Sequence, residues 1–193
     1  MITLLDKKKL ERLVLYTHMS NHICGSIVEV GVYKGGSAEA IAKTKINEKK
    51  LFLFDTFEGM PQECEHDNYH KKGDFSDTSL ESVVQGLSRF KNVFVHRGLF
   101  PQETGSFLGR ETFSMVHIDV DIYKSYMDCL NFLWPRIVKG GIIIFDDYNE
   151  KTCLGAKLAV DEFFAAKKEP LIWPCFAQIC AVKSTDATLP IKL

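Results

Sequence analysis

Between Ser114 and Tyr148 the chain runs twice from a short apolar segment into paired carboxylates. It reads SMVHIDVDIYKS, then a helical linker YMDCLNFLWPRIVKGG, then IIIFDDY. Adjacent anions repel unless a cation or a shared proton relieves them, so Asp119, Asp121, Asp146 and Asp147 do not read as a solvated face. Strand, helix and strand in succession build neighbouring parallel strands. Ligands of open parallel sheets gather at the carboxyl ends of the strands. The stretch therefore restricts the chain to an α/β sheet with a divalent-cation and general-base site at its carboxyl edge.

Upstream, GSIVEVGVYKGGSAEAIAKTK is an apolar strand that passes through glycines into an alanine-rich helix. Gly31, Gly35 and Gly36 let backbone approach a ligand without a Cβ in the way, at a helix start whose amides are free. Glu29 ends the strand. A carboxylate there repels a pyrophosphate but can pair with a cationic amino-acid moiety, which points away from a dinucleotide and towards a nucleoside such as S-adenosylmethionine. The segment KKLFLFDTFEGMP predicts a second strand, Leu51 to Phe54, ending at Asp55. That is where α/β nucleoside sites hold ribose hydroxyls.

The polar segment from Gln62 to Ser79 predicts a loop, read as a solvated flap over the site because its His and acidic residues lack regular ligand spacing. Thr78 and Glu81 suggest a capping box for a helix from about Ser79 to Phe90. Further strands are expected at Asn92 to His96, Met115 to Ile118 and KGGIIIFDDY, with PLIWP and AQICAVK as two short closing strands. Residues 3 to 20 predict an amphipathic helix, packing element or lid, and GAKLAVDEFFAAK another. Strand alternating with helix throughout implies one three-layer α/β domain spanning residues 1–193.

Composition narrows the function classes. A formal net charge of -1 and a pI near 6.6 leave no basic stripe for nucleic acid or an anionic membrane. The apolar runs are too short to span a bilayer. The six cysteines (24, 64, 129, 153, 175 and 180) show neither CxxC spacing nor a companion His at zinc-finger intervals. With no secretory leader in the first 20 residues, reduced thiols in a cytoplasmic protein are expected.

The ordered set VEVGVYKGGS, FDTFEGMP, RGLFP, HIDVDIYKS, GGIIIFDDY and GAKLAVDEF resembles the macrocin O-methyltransferase family, class I S-adenosylmethionine-dependent enzymes that methylate sugar hydroxyls. The resemblance implies a Rossmann-like, mostly parallel sheet of seven strands with the last antiparallel. It implies cofactor contacts at Glu29, Val30, Gly31, Val32, Tyr33, Gly36, Ser37, Asp55, Thr56, Phe57, Ser79, Gly98 and Asp119. It also implies Mg2+ ligands at Asp119, Asp146 and Asp147, with Asp121 as the base that deprotonates a small hydroxylated acceptor. Val120 stands where relatives carry glycine. The lysine of catechol-type enzymes, three residues after the first metal Asp, is here Ile122, and His117 reads as a packed or supporting histidine rather than a ligand. A homo-oligomer is permitted. An S-adenosylmethionine-binding protein without turnover and a nucleotide-dependent oxidoreductase stand as alternative readings.

Overall fold

The computed structural model describes residues 1–174 and 177–188, so Cys175 and the last five residues lie outside the described chain. Six strands form one sheet: β1 (Ser26–Val30), β2 (Leu51–Asp55), β3 (Val93–Arg97), β4 (Phe113–Ile118), β5 (Ile137–Phe145) and β6 (Ile179–Val182). Their order is β3-β2-β1-β4-β5-β6. All neighbours are parallel except β5 and β6. Both faces of the sheet are covered, which is why the central strands read as continuous apolar runs instead of alternating ones.

The two faces divide the core. Val28, Val30, Phe54, Val116, Ile118, Ile143 and Phe145 pack against Tyr126 and Leu130 of α4 (Tyr123–Leu133) and Ala156 and Val160 of α5 (Leu154–Phe164). Ile27, Leu51, Leu53, Met115 and Ile144 pack on the other face. They meet Leu13 of α1 (Lys7–Ser20), Ile41 of α2 (Gly36–Thr44) and Val83 and Leu87 of α3 (Leu80–Leu87). This is the three-layer, Rossmann-like arrangement expected of the sequence.

The closing strands differ from expectation. Among the described residues PLIWP contributes a single antiparallel bridge, Ile172 to Cys180, so the sheet has six strands and not seven. Pro170 and Pro174 bracket the segment and cannot donate to a ladder. At α3 the cap is Ser79, whose side chain accepts the Ser82 amide. The Thr78 hydroxyl is spent on the Tyr33 carbonyl at 2.5 Å, so the expected Thr78–Glu81 box does not form.

Strand register sets the level of the site. Val30 pairs with both Phe54 and Ile118, and Ile118 with Phe145. Gly31, Asp55, Asp119 and Asp146 are therefore the next residues along four adjacent strands, at one height on the carboxyl edge. The chain order reverses between β1 and β4, where open sheets of this kind leave a crevice. No helix among the described residues is long and apolar enough to cross a membrane.

Candidate active site

A cavity of about 290 Å³ opens at this crevice. Its wall includes Val30, Gly31, Val32, Tyr33, Gly36, Ser37, Asp55, Thr56, Gly98, Asp119, Asp121, Asp146 and Asp147, all expected from the sequence. Three expected cofactor residues stand off the wall. Phe57 is buried behind the loop, Ser79 caps α3, and Glu29 is fully buried within the sheet. Ile2, Thr3, Leu4, Leu5 and Lys9 also line the cavity, so the segment ahead of α1 and the helix's first turn close one side of it.

The turn after β1 is built around Gly31, whose φ is +88°. A Cβ there would meet the Asp119 carbonyl oxygen at 1.8 Å, so only glycine allows the β1 and β4 ends to approach this closely. The amides of Val32 and Tyr33 donate to Asp55 Oδ2 at 2.7 and 2.8 Å, and Phe57 donates to Oδ1 at 2.8 Å. Asp55 thus holds the glycine turn to the end of β2. It also takes up two amides of the kind that a pyrophosphate would need.

The acidic cluster is asymmetric. Asp146 accepts from Lys9 Nζ at 2.8 Å and from Gln178 Nε2 at 2.9 Å, and His117 Nε2 stands 3.7 Å away, a charge contact and not a hydrogen bond. Burial works to raise the Asp146 carboxyl, but His117 and Lys9 outweigh it and hold it below the usual range. Asp147 is kept in place by the Tyr126 hydroxyl at 2.9 Å and the Asp121 amide at 3.1 Å. It is pushed well up by burial and by Asp121 and Asp146, which outweigh the Tyr126 hydrogen bond and the charge of Lys9. Asp119 is raised well above a normal carboxyl by desolvation and by the charges of Asp146, Asp147 and Asp121.

One carboxylate oxygen each from Asp119, Asp146 and Asp147 lies within 4.8 Å of the others. An all-oxygen set is what a hard divalent cation takes, and the raised Asp119 and Asp147 mark negative charge that Lys9 and His117 leave uncompensated. These residues fit Mg2+.

Asp121 sits in the left-handed region with φ of +58°, a strained conformation that Asp tolerates better than most residues. The turn lets its amide reach Asp147 while Oδ1 faces Cys153 Sγ at 3.3 Å and His70 Nε2 at 3.7 Å. Burial raises its carboxyl and the His70 charge opposes that rise.

Several residues of this site were not legible in the sequence. Lys9 lies 137 residues from Asp146. His70 belongs to the segment expected to be a solvated flap. It is buried and lines the cavity, and the segment is tied down where Asp67 Oδ1 accepts the Tyr123 amide at 2.9 Å. The likewise buried Cys153 begins α5. His117, expected to be a packed or supporting histidine, is fully buried and has Glu29 Oε1 as its partner at 2.8 Å. The two are register neighbours on β1 and β4, facing the layer under α1. Burial presses the His117 imidazole down, yet the carboxylates of Asp146 and Glu29 prevail and hold its pKa up at about 9.

The sequence profile of the macrocin-O-methyltransferase (TylF) family matches residues 2–173. The chain is similar to the demethyldecarbamoylnovobiocin O-methyltransferase of Streptomyces niveus, 27% identical over 180 residues that cover 84% of this chain and 68% of that protein. It is also similar to the mycinamicin III 3''-O-methyltransferase of Micromonospora griseorubida, 27% identical over 169 residues covering 78% of this chain and 66% of that one. The chain thus spans about two thirds of the length of these relatives. Among solved structures, the O-methyltransferase NovP superposes with a TM-score of 0.81 at 26% identity, covering 94% of this chain and 82% of that one.

Proposed function

Because the chain belongs to the macrocin O-methyltransferase family, and by that membership is an S-adenosylmethionine-dependent O-methyltransferase, we propose that it methylates a hydroxyl of a sugar or other small metabolite with Mg2+ assistance. One observation carries the finer reading: four carboxylates converge on a single cavity at the ends of β4 and β5, three of them spaced to share a cation.

In this reading Gly31 and the turn to Gly36 admit the cofactor beside β1, with Asp55 within reach of ribose hydroxyls. Bound S-adenosylmethionine supplies a methyl group on a sulfonium leaving group, so transfer needs orientation above all. Asp119, Asp146 and Asp147 would hold Mg2+, which lowers the pKa of an alcohol brought to it. Tyr126 and the Asp121 amide keep Asp147 in one orientation. Asp121 Oδ1, set by the strained turn, accepts the acceptor's proton. The segment from Ile2 to Leu5 and the one carrying His70 flank the cavity on either side of the reacting groups. An oxidoreductase reading has less support, since Asp55 rather than a phosphate takes the Val32 and Tyr33 amides.

The test is radiolabelled methyl transfer from S-adenosylmethionine to a panel of hydroxylated sugars. For Asp121→Asn, kcat should fall by roughly 10²- to 10⁴-fold, the usual contribution of a positioned base, with S-adenosylhomocysteine affinity kept. Undiminished kcat in the variant would remove Asp121 as the base.

A further inference from the structure

Beside the all-oxygen cluster stands a second, softer group. His70 Nε2, Cys153 Sγ and Asp121 Oδ1 form a triangle with edges of 3.5 Å (S to N), 3.3 Å (S to O) and 3.7 Å (N to O). Zinc bond lengths to sulfur, nitrogen and oxygen, arranged tetrahedrally, place such ligand atoms about 3.3–3.6 Å apart. The triangle is therefore already close to the size of a zinc site, before any cation is present. All three residues line the cavity, which leaves a fourth direction open.

The surroundings favour ligation. His70 Nδ1 faces Asp74 Oδ2 at 3.7 Å, the side from which a carboxylate steadies a metal-bound imidazole and leaves Nε2 for the ion. Cys153 occupies the N-cap position of the eleven-residue α5 at the cavity wall, where burial and the charges of Asp147 and Asp121 push its thiol up, so the proton leaves only as a cation takes its place on the sulfur. Thr152 Oγ1 also lies 3.5 Å from the sulfur. Sulfur with imidazole selects borderline cations over Mg2+.

We propose that His70, Asp121 and Cys153 form a binding site for a thiophilic divalent cation of the Zn2+ class, distinct from the Asp119–Asp146–Asp147 set. Binding displaces the Cys153 thiol proton to solvent and forms three protein–metal bonds, with the fourth position open to water or substrate. The ion occupies Oδ1 of Asp121, so it and proton acceptance by Asp121 exclude each other. This last consequence, a metal brake on transfer, rests on the reading of Asp121 as the base.

The test is titration of chelator-treated protein with Co2+, followed by absorption, with Zn2+ as competitor. One equivalent of Co2+ should give a thiolate-to-cobalt charge-transfer band and the intense d–d bands of a four-coordinate ion. Zn2+ should abolish both and excess Mg2+ neither. Cys153→Ser should lose the charge-transfer band and weaken Zn2+ binding by roughly 100-fold or more, beyond the effect of losing an outer partner. His70→Gln should weaken Zn2+ comparably while keeping the sulfur band at higher Co2+, and Asp119→Ala should leave the band in place. A weak six-coordinate spectrum without the sulfur band, or a band that survives in Cys153→Ser, would overturn the site. The readout is independent of methyl transfer, so a failed base assignment and a failed metal site remain distinguishable.

Discussion

Replacing Lys9 by Met tests how the acidic cluster is held together. The Lys9 side chain is 7% exposed and that of Asp146 4%, and the ammonium bridges Asp146 and Glu150 at 2.8 and 2.9 Å. Desolvation opposes the charge on Lys9, but Asp146 and Glu150 more than compensate and raise its pKa, so it is the ammonium that is lost. Methionine keeps the apolar stem on the buried face of α1 and deletes only the charge. Removing one partner of a buried pair costs about 3–5 kcal/mol. The low end applies, about 3 kcal/mol, because Gln178 and His117 remain beside Asp146. For a chain of 193 residues this lowers Tm by about 6–12 °C in scanning calorimetry. Mg2+ should recover more of that loss in the variant than it adds to the parent, since the ammonium no longer competes for Asp146 Oδ2. A variant that melts with the parent, or an equal Mg2+ shift in both, would refute the reasoning.

Three further outcomes follow from the same geometry. His117 is held at about 9 against an unfolded value near 6.5, so its stabilisation is complete below about pH 6.5 and is lost as pH rises through 9. Denaturant titrations should show stability declining over that window by up to about 3 kcal/mol, with His117→Asn flattening the decline. Gly31→Ala must relieve both a φ of +88° and a 1.8 Å overlap with the Asp119 carbonyl, so it should cost roughly 2–4 kcal/mol in melts and abolish S-adenosylhomocysteine binding in calorimetry. Tyr126→Phe removes the hydroxyl that orients Asp147, and Mg2+ affinity should fall about 10-fold by titration with cofactor affinity unchanged.

What the sequence disclosed and what it concealed divide along contact range. Asp119, Asp121, Asp146 and Asp147 are legible because each pair follows its own apolar strand directly, and strand register alone brings the pairs together. The Gly31 turn and Asp55 are legible for the same local reason. Lys9, His70 and Cys153 reach the site across 137, 83 and 32 residues from their partners, without any periodic spacing to mark them. Glu29 reads as a cofactor contact from its place after an apolar run, but a parallel neighbour supplies His117 and buries the carboxylate. The extra closing strand and the Thr78 cap failed where a local propensity met a specific competitor, flanking prolines in one case and the Tyr33 carbonyl in the other.

The most direct test of the central claim is calorimetric titration with S-adenosylhomocysteine, followed by Mg2+ titration of that complex and of the Asp119→Ala variant. Nucleoside binding by both proteins, with Mg2+ binding that only the parent shows, is the predicted result. Absence of nucleoside binding, or Mg2+ binding that persists without Asp119, would contradict the assignment of this cavity as a metal-assisted methyl-transfer site.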